Sequence, residues 1–456
     1  MYQTQIKIVA LFLGSIFFLQ DSIYAQNNQK VHYREQQTAH GGEVHLPING
    51  VCLSEKAREI IKNQIRNNIK KLGLPFSATA KTNTSSASIL LNWPLAQING
   101  FNYNSYYGIG NFVDHDSSSP GILDYTCNSR TYDGHKGTDF FTWPFSWHMM
   151  ADEQVAVVAA APGTIIGKSD GYFDEECECI NWPWNAVYVQ HSDGSVAWYG
   201  HLKKFSLTAK AVGETVETGE YLGIVGSSGC STGPHLHFEF YANPAQTILI
   251  DPFSGPCNTL NPDSWWENQR PYHKPTINTL LTHDIPPVVN FGCPANNDQK
   301  NTDNCFLPSE LAYFAIYLAD QIAGTQASFK IKKPNNTVWK DWNFYFSDTY
   351  NASWWYWSYF LPAAAEGGTW IFEATYAGET VTHQFFVDNN LSISGVANPC
   401  NGTSYLYTAT LAPTGSYYNW TVTNGTIING QGEQTVEIVW NNTDSTGQVL
   451  VSITVP

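Results

Sequence analysis

Three short segments carry metal-ligating and proton-carrying side chains at spacings that suit hydrolytic chemistry. In Gly134-His135-Lys136-Gly137-Thr138-Asp139 an imidazole and a carboxylate stand four residues apart, and extended backbone puts such a pair on one face. Trp198-Tyr199-Gly200-His201-Leu202 ends the return strand of a predicted hairpin. Within 226–238, His235 and His237 alternate with Leu236 and Phe238, so strand periodicity gives the imidazoles one face and the apolar pair the other. Three N/O ligands with one open position are what a catalytic zinc requires. Two further histidines suit proton transfer or stabilisation of a developing oxyanion. Either pair alone is a common accident of sequence; the three segments in this order, each at a strand end, are specific.

The elements that must position these groups are strands. Between 89 and 272, short β-rich runs alternate with Gly and Asp-Gly turns. Val187–His191 and Val196–His201 flank Ser192-Asp193-Gly194-Ser195, a strong hairpin signal. Val155–Ala160 and Gly163–Gly167 read as further strands, and the Gly-rich stretch 226–233 reads as a turn that lets a substrate backbone approach. Two long excursions interrupt the pattern, Phe140–Glu153 and Lys168–Pro183, and loops of that length are usually functional or surface elaborations.

HKGTD at 135–139, AAAPGTI at 159–165, WYGHL at 198–202 and VGETVETGEYLGIVGSSGCSTGPHLHFE at 212–239 together resemble the M23 family of zinc metallopeptidases, the lysostaphin/LytM-like peptidoglycan endopeptidases. The resemblance covers under half of the chain. It implies one Zn²⁺ per chain ligated by His135, Asp139 and His237, with His201 and His235 as non-ligand catalytic histidines, one a general base and the other an oxyanion stabiliser in either order. It also implies a compact antiparallel β-sheet with the metal in a groove. Family members run from the Asp almost directly into the Ala-Pro-x-Gly segment, whereas here 140–158 intervenes. That insertion, with His148 and several aromatics, is expected to cover or reshape the groove.

Composition agrees with such a protein. The 456 residues carry 23 Lys+Arg against 39 Asp+Glu, a net charge of −16, which excludes phosphate-backbone binding to nucleic acid. Aromatics reach 14%, which excludes a disordered chain. Residues 1–25 have the layout of a secretory signal peptide, with Lys7, the apolar run Ile8–Leu19 and Ala25, and nothing after them reads as a membrane span. The expected location is therefore secreted, periplasmic or cell-surface. All nine cysteines follow this leader, so disulfides with one cysteine left over are expected; Cys293–Cys305 is the local candidate pair, and Cys177 and Cys179 are expected to pair elsewhere. The absence of any CxxC leaves a Cys-based zinc site unsupported.

The expected fold class is mainly β: a LytM-like catalytic domain over 89–272, then two β-sandwich modules, with a short N-terminal helix. Residues 26–88 form a helical segment and linker. Ser54 reads as an N-cap, Ala57, Ile61, Ile65, Ile69 and Leu72 as an apolar stripe, Arg58, Lys62, Arg66 and Lys70 as a solvated basic face, Gly73 and Pro75 as the stop, and 77–88 as the linker. The modules at 285–390 and 391–456 resemble immunoglobulin-like and PKD-like domains. In the first, one face of Trp354–Trp357 is expected in the core and the other is left open as a sugar-stacking platform, hence a cell-surface glycan contact. His148 and His191 read as satisfied loop histidines, and Asp114-His115-Asp116 as a solvated turn in preference to a cation site. The functional expectation is an exported zinc metalloendopeptidase that hydrolyses peptide bonds in peptidoglycan cross-links or stem peptides. The competing expectation is a non-catalytic wall-binding or adhesin protein that uses the same domain as a recognition scaffold.

Overall fold

A computed structural model of the chain describes residues 8–11, 36–44, 52–76 and 89–454, apart from 99, 181–182, 290–292, 294–298, 389–392, 398, 401, 411–415 and 442–446. The structure is mainly β, with two helices among the described residues, Glu55–Leu72 and Ser146–Ala151. Of the leader-like stretch only Ile8–Leu11 is described, paired with 448–451; the rest, and the linker 77–88, lie outside the described residues.

The central sheet runs, edge to edge, Thr215–Val216, Gly163–Ser169, Ala186–His191, Val196–Gly200, His235–Tyr241, Thr138–Thr142 and Tyr107–Asn111, all neighbours antiparallel. The 192–195 turn joins Ala186–His191 to Val196–Gly200 as a hairpin. His235–Tyr241 lies between the hairpin's return strand and Thr138–Thr142, and this middle position brings the three chemistry-bearing segments together. Leu236, Phe238 and Phe240 point into the apolar core with Phe140, Val187 and Tyr199, as strand alternation requires.

That core does not stop at the sheet. It continues through Trp143 and Phe145 to Tyr313, Ala315, Tyr317 and Ala352, which belong to a four-stranded sheet formed by Thr276–His283, Leu311–Gln321, Tyr350–Phe360 and the N-terminal strand Gln36–Glu43. The rings of Phe145 and Tyr317 stand 5.3 Å apart, and Trp143 and Tyr317 6.2 Å. The 140–158 insertion, expected to cover or reshape the groove, docks the central sheet onto its neighbour through Trp143 and Phe145. The neighbour packs its other face on a five-stranded sheet through Phe314, Phe329, Trp357, Trp370 and Phe385. Trp355 and Trp357 lie on Phe344, while Trp354 stacks on Tyr356 and Tyr356 on His40 of the N-terminal strand. Both faces of that aromatic run therefore carry ring contacts, with Trp357 in the core and Trp354 and Trp355 half-buried.

The helix Glu55–Leu72 is capped as its sequence predicts: Ser54 Oγ accepts from the Ala57 amide at 3.2 Å, and Gly73 takes the left-handed conformation at φ 65°. Ile61, Ile65 and Ile69 bury against Ile166, Trp184, Tyr188 and Trp198. Arg58 departs from the expected solvated face. It is 1% exposed and ion-paired with Glu239 at 2.7 Å, because the helix lies on the sheet and a guanidinium there is retained only with a carboxylate partner.

Cys177 and Cys179 pair elsewhere, as expected, but the remaining cysteine pairing differs from expectation. The disulfides are Cys127–Cys257, Cys177–Cys293 and Cys179–Cys230, and Cys52, Cys305 and Cys400 are free. Cys293 joins Cys177 and not Cys305, and three cysteines are left over in place of one. Cys305 stays a free, buried thiol on a strand paired with Phe386.

Candidate active site

His135 and Asp139 meet, although by a different route from the extended backbone anticipated. Only Asp139 lies on the strand Thr138–Thr142; His135 belongs to the loop before it. His135 Nδ1 donates to the Phe112 carbonyl at 2.6 Å, which leaves Nε2 to face the site. That nitrogen is 3.2 Å from Asp139 Oδ1 and 3.2 Å from His237 Nδ1, and His237 Nδ1 is 2.8 Å from Asp139 Oδ1. Ligand atoms around a tetrahedral zinc with ordinary Zn–N and Zn–O bonds stand about 3.3 Å apart. All three atoms are already near that spacing, so a single small ion fits among them with little rearrangement.

The surroundings hold each ligand in the required orientation. Asn111 Nδ2 donates to Asp139 Oδ2 at 3.0 Å and so turns Oδ1 toward the imidazoles. His237 Nε2 donates to Glu239 Oε1 at 2.8 Å, which sets the tautomer that exposes Nδ1, an arrangement common behind metal-binding histidines. Glu239 accepts at its other oxygen from Arg58 at 2.7 Å and Tyr241 at 2.6 Å. Burial opposes its ionisation, but the Arg58 charge and the His237 bond hold its carboxyl well below the usual range. Gly137 leaves room for the ring: a Cβ there would stand 2.8 Å from His237 Cε1 and Nε2.

His201 follows the return strand at φ 61°, a left-handed conformation that a histidine adopts at a cost. Its Nδ1 donates to the Ser228 carbonyl at 2.5 Å, while Nε2 is buried and makes no hydrogen bond. Trp184 lies edge-on to the ring at 5.2 Å. Burial, with the nearby His235, keeps this imidazole neutral below its ordinary range. His235 donates Nδ1 to the Gly233 carbonyl at 2.8 Å, and its Nε2 is 3.7 Å from Asp139 Oδ1. The 226–233 turn therefore supplies the carbonyls that orient both rings. The other excursion packs on this turn: Cys179 is bonded to Cys230, and the Glu176 amide donates to Ser227 O.

One more side chain reaches the same point. Cys52 Sγ lies with one ligand atom each of His135, Asp139 and His237 in a group no more than 4.8 Å across, and with one ring nitrogen each of His201 and His235 in a second such group. Tyr132 Oη is 2.7 Å from the sulfur, and its ring covers His135 at 4.2 Å.

The five residues singled out in the sequence all converge. Cys52, Tyr132, Asn111, Trp184, Arg58 and Glu239 were missed. Glu239 alone had a readable signal, since it shares a strand face with His235 and His237 at spacing of two. His191 is a hydrogen-bonded histidine, its Nδ1 donating to Pro162 O. The 114–116 turn is less solvated than expected, because His115 Nε2 lies 2.9 Å from Asp251 Oδ2 with both side chains buried, while Asp114 Oδ1 accepts from the amides of Asp116 and Leu123. His148 lies on the helix Ser146–Ala151.

Residues 134–250 match the model for Peptidase family M23. The chain is 36% identical over 116 residues to the DD-carboxypeptidase/endopeptidase Mpg of Neisseria meningitidis serogroup B, covering 25% of this chain and 21% of that one. It is 31% identical over 109 residues to the peptidoglycan DD-endopeptidase ShyC of Vibrio cholerae (24% and 20%), and 46% identical over 98 residues to lysostaphin of Staphylococcus staphylolyticus (19% and 20%). The matched stretch spans about a fifth of the length of each of these relatives. The stretch that matches the family model encloses His135, Asp139, His201, His235 and His237.

Proposed function

We propose that this chain is an exported zinc metalloendopeptidase that cleaves peptide bonds in peptidoglycan. The observation that carries the reading is the set of three ligand atoms at 2.8–3.2 Å from one another, with two further imidazoles beside them. A homologue named for action on peptidoglycan, the DD-endopeptidase ShyC of Vibrio cholerae, supports the substrate class. Among the described residues no helix is long and apolar enough to cross a membrane.

His135 Nε2, Asp139 Oδ1 and His237 Nδ1 would hold the zinc, which when bound activates water and polarises the scissile carbonyl. The chain's own groups do the rest. With Nδ1–H fixed on a backbone carbonyl, His201 and His235 each present Nε2. One accepts the proton of the attacking water; the other, once protonated, donates to the carbonyl oxygen as charge develops or to the leaving nitrogen. Glu239 keeps the ligating tautomer of His237 through the cycle.

The test is incubation of zinc-loaded chain with isolated peptidoglycan, with and without chelator, followed by mass spectrometry of released fragments. Cys52→Ser is assayed in parallel, so that the thiol in the site does not mask activity. Fragments ending at one defined peptide bond, lost on chelation, are expected. Zinc bound without cleavage by either protein sinks the reading, and peptidoglycan retention that survives chelation would favour a recognition scaffold.

A further inference from the structure

Cys52 carries a buried free thiol that the hydrolytic machinery does not use, and it stands where that machinery needs space. The thiol is within 4.8 Å of the metal triad on one side and of both remaining imidazoles on the other. An attacking water and a carbonyl oxygen would have to occupy the same volume. In a tetrahedral site with one thiolate, sulfur and nitrogen ligands stand about 3.6 Å apart. The sulfur thus needs only a small approach to complete the coordination. A ring nitrogen of His201 and one of His235 face the same volume, within 4.8 Å of the sulfur.

The position is held from both directions along the chain. Two residues after the cysteine, the Ser54 cap starts a helix anchored by Ile61, Ile65 and Ile69 and by the buried Arg58–Glu239 pair. Glu55 on the first turn reaches Lys136, the neighbour of His135, at 2.5 Å. Upstream, Gln36–Glu43 is bonded into the sheet beside Tyr350–Phe360. The segment that delivers the thiol is therefore tied to the same Glu239 that orients His237.

We propose that Cys52 is a fourth, internal ligand of the metal held by His135, Asp139 and His237, and that the segment carrying it keeps the site closed until the thiol is displaced. This rests on the metallopeptidase reading above. Closure is ligand exchange without redox change: the thiol releases its proton to solvent and the thiolate takes the open position; on opening, the sulfur is reprotonated and water enters.

Cobalt substitution of the full chain tests it. A thiolate-to-cobalt charge-transfer band in the near ultraviolet is expected at one cobalt per chain. It should vanish in Cys52→Ser while the visible cobalt bands remain, and persist in Cys400→Ser, which removes an exposed free thiol. Stoichiometric cobalt without the band overturns this inference alone; no cobalt binding overturns it together with the metallopeptidase reading. Should Cys52→Ser fail to fold, alkylation of the unaltered chain decides. Peptide mapping should show Cys52 protected when metal is bound and labelled roughly tenfold or more faster after chelation; equal rates overturn the inference.

Discussion

His237 and Asp139 face each other as a register pair across adjacent antiparallel strands, with Nδ1 2.8 Å from Oδ1. Two ligands are thus set by the ladder itself, at a separation that backbone hydrogen bonds maintain, and only His135 must be brought in by a loop. This division of labour shapes what each substitution should do.

His237→Ala removes a ligand fixed by the sheet, and His201→Ala removes a side chain outside the triad. The first should abolish stoichiometric zinc binding in a metal titration. The second should retain the metal and lose hydrolysis by about 10²–10⁴-fold, the usual contribution of a positioned proton-transfer group. Zinc loss in His201→Ala would assign that imidazole to the ligands.

Glu239→Gln keeps an acceptor for His237 but removes the charge that Arg58 neutralises. Zinc affinity should fall by about 10–100-fold in competition with a chelating indicator. The guanidinium, 1% exposed, is left without its carboxylate, so thermal stability should also fall, by about 3 kcal/mol. Unchanged affinity would show that Glu239 serves the fold alone.

Gly137→Ala introduces a methyl group 2.7 Å from Phe238 O and 2.8 Å from the His237 ring. The backbone cannot yield without opening the ladder, so the imidazole must move. We expect a stability loss of about 1–3 kcal/mol with weakened zinc binding, read by denaturant titration and metal titration together.

Replacing both Cys179 and Cys230 by Ala removes the covalent tether between the 168–183 excursion and the turn whose Ser228 carbonyl orients His201. Metal affinity should hold, since no ligand lies on that turn. Hydrolysis should drop by about tenfold or more, because small misplacements of a catalytic group are costly. An equal fall in metal affinity would refute the separation of roles.

Stability should fall on acidification through His283. Burial pushes its imidazole down to about 3, with lesser contributions from His383 and Lys300, while Nδ1 donates to Lys300 O at 2.8 Å and Nε2 accepts from Tyr317 Oη at 3.1 Å. His383, beside Thr282 and Asn304, is held at about 4 by burial. The unfolded chain binds these protons near the ordinary histidine value and the folded chain does not, so stability is full above about pH 6.5 and drains as pH falls toward 3. Between pH 7 and 5, each should contribute a loss of roughly 2 kcal/mol, measurable by urea unfolding at the two pH values. A His283→Gln chain with the same pH slope would sink the assignment.

What the sequence determined by itself was what local rules govern. Period-two alternation placed His235 and His237 on one face, turn residues marked the hairpin that ends at His201, and Ser54 and Gly73 bounded the helix. Each of these depends on neighbours a few residues away. Tertiary structure decided the rest. Cys52 enters the site from a segment some eighty residues before His135, the 140–158 insertion docks on Tyr317, Cys177 bonds Cys293, and Arg58 turns from a surface charge into a buried partner of Glu239. None of these contacts has a local signature, because a thiol, a ring or a guanidinium is chosen there by whichever distant surface folds against it, and that choice is made only when the helix and the sheets pack.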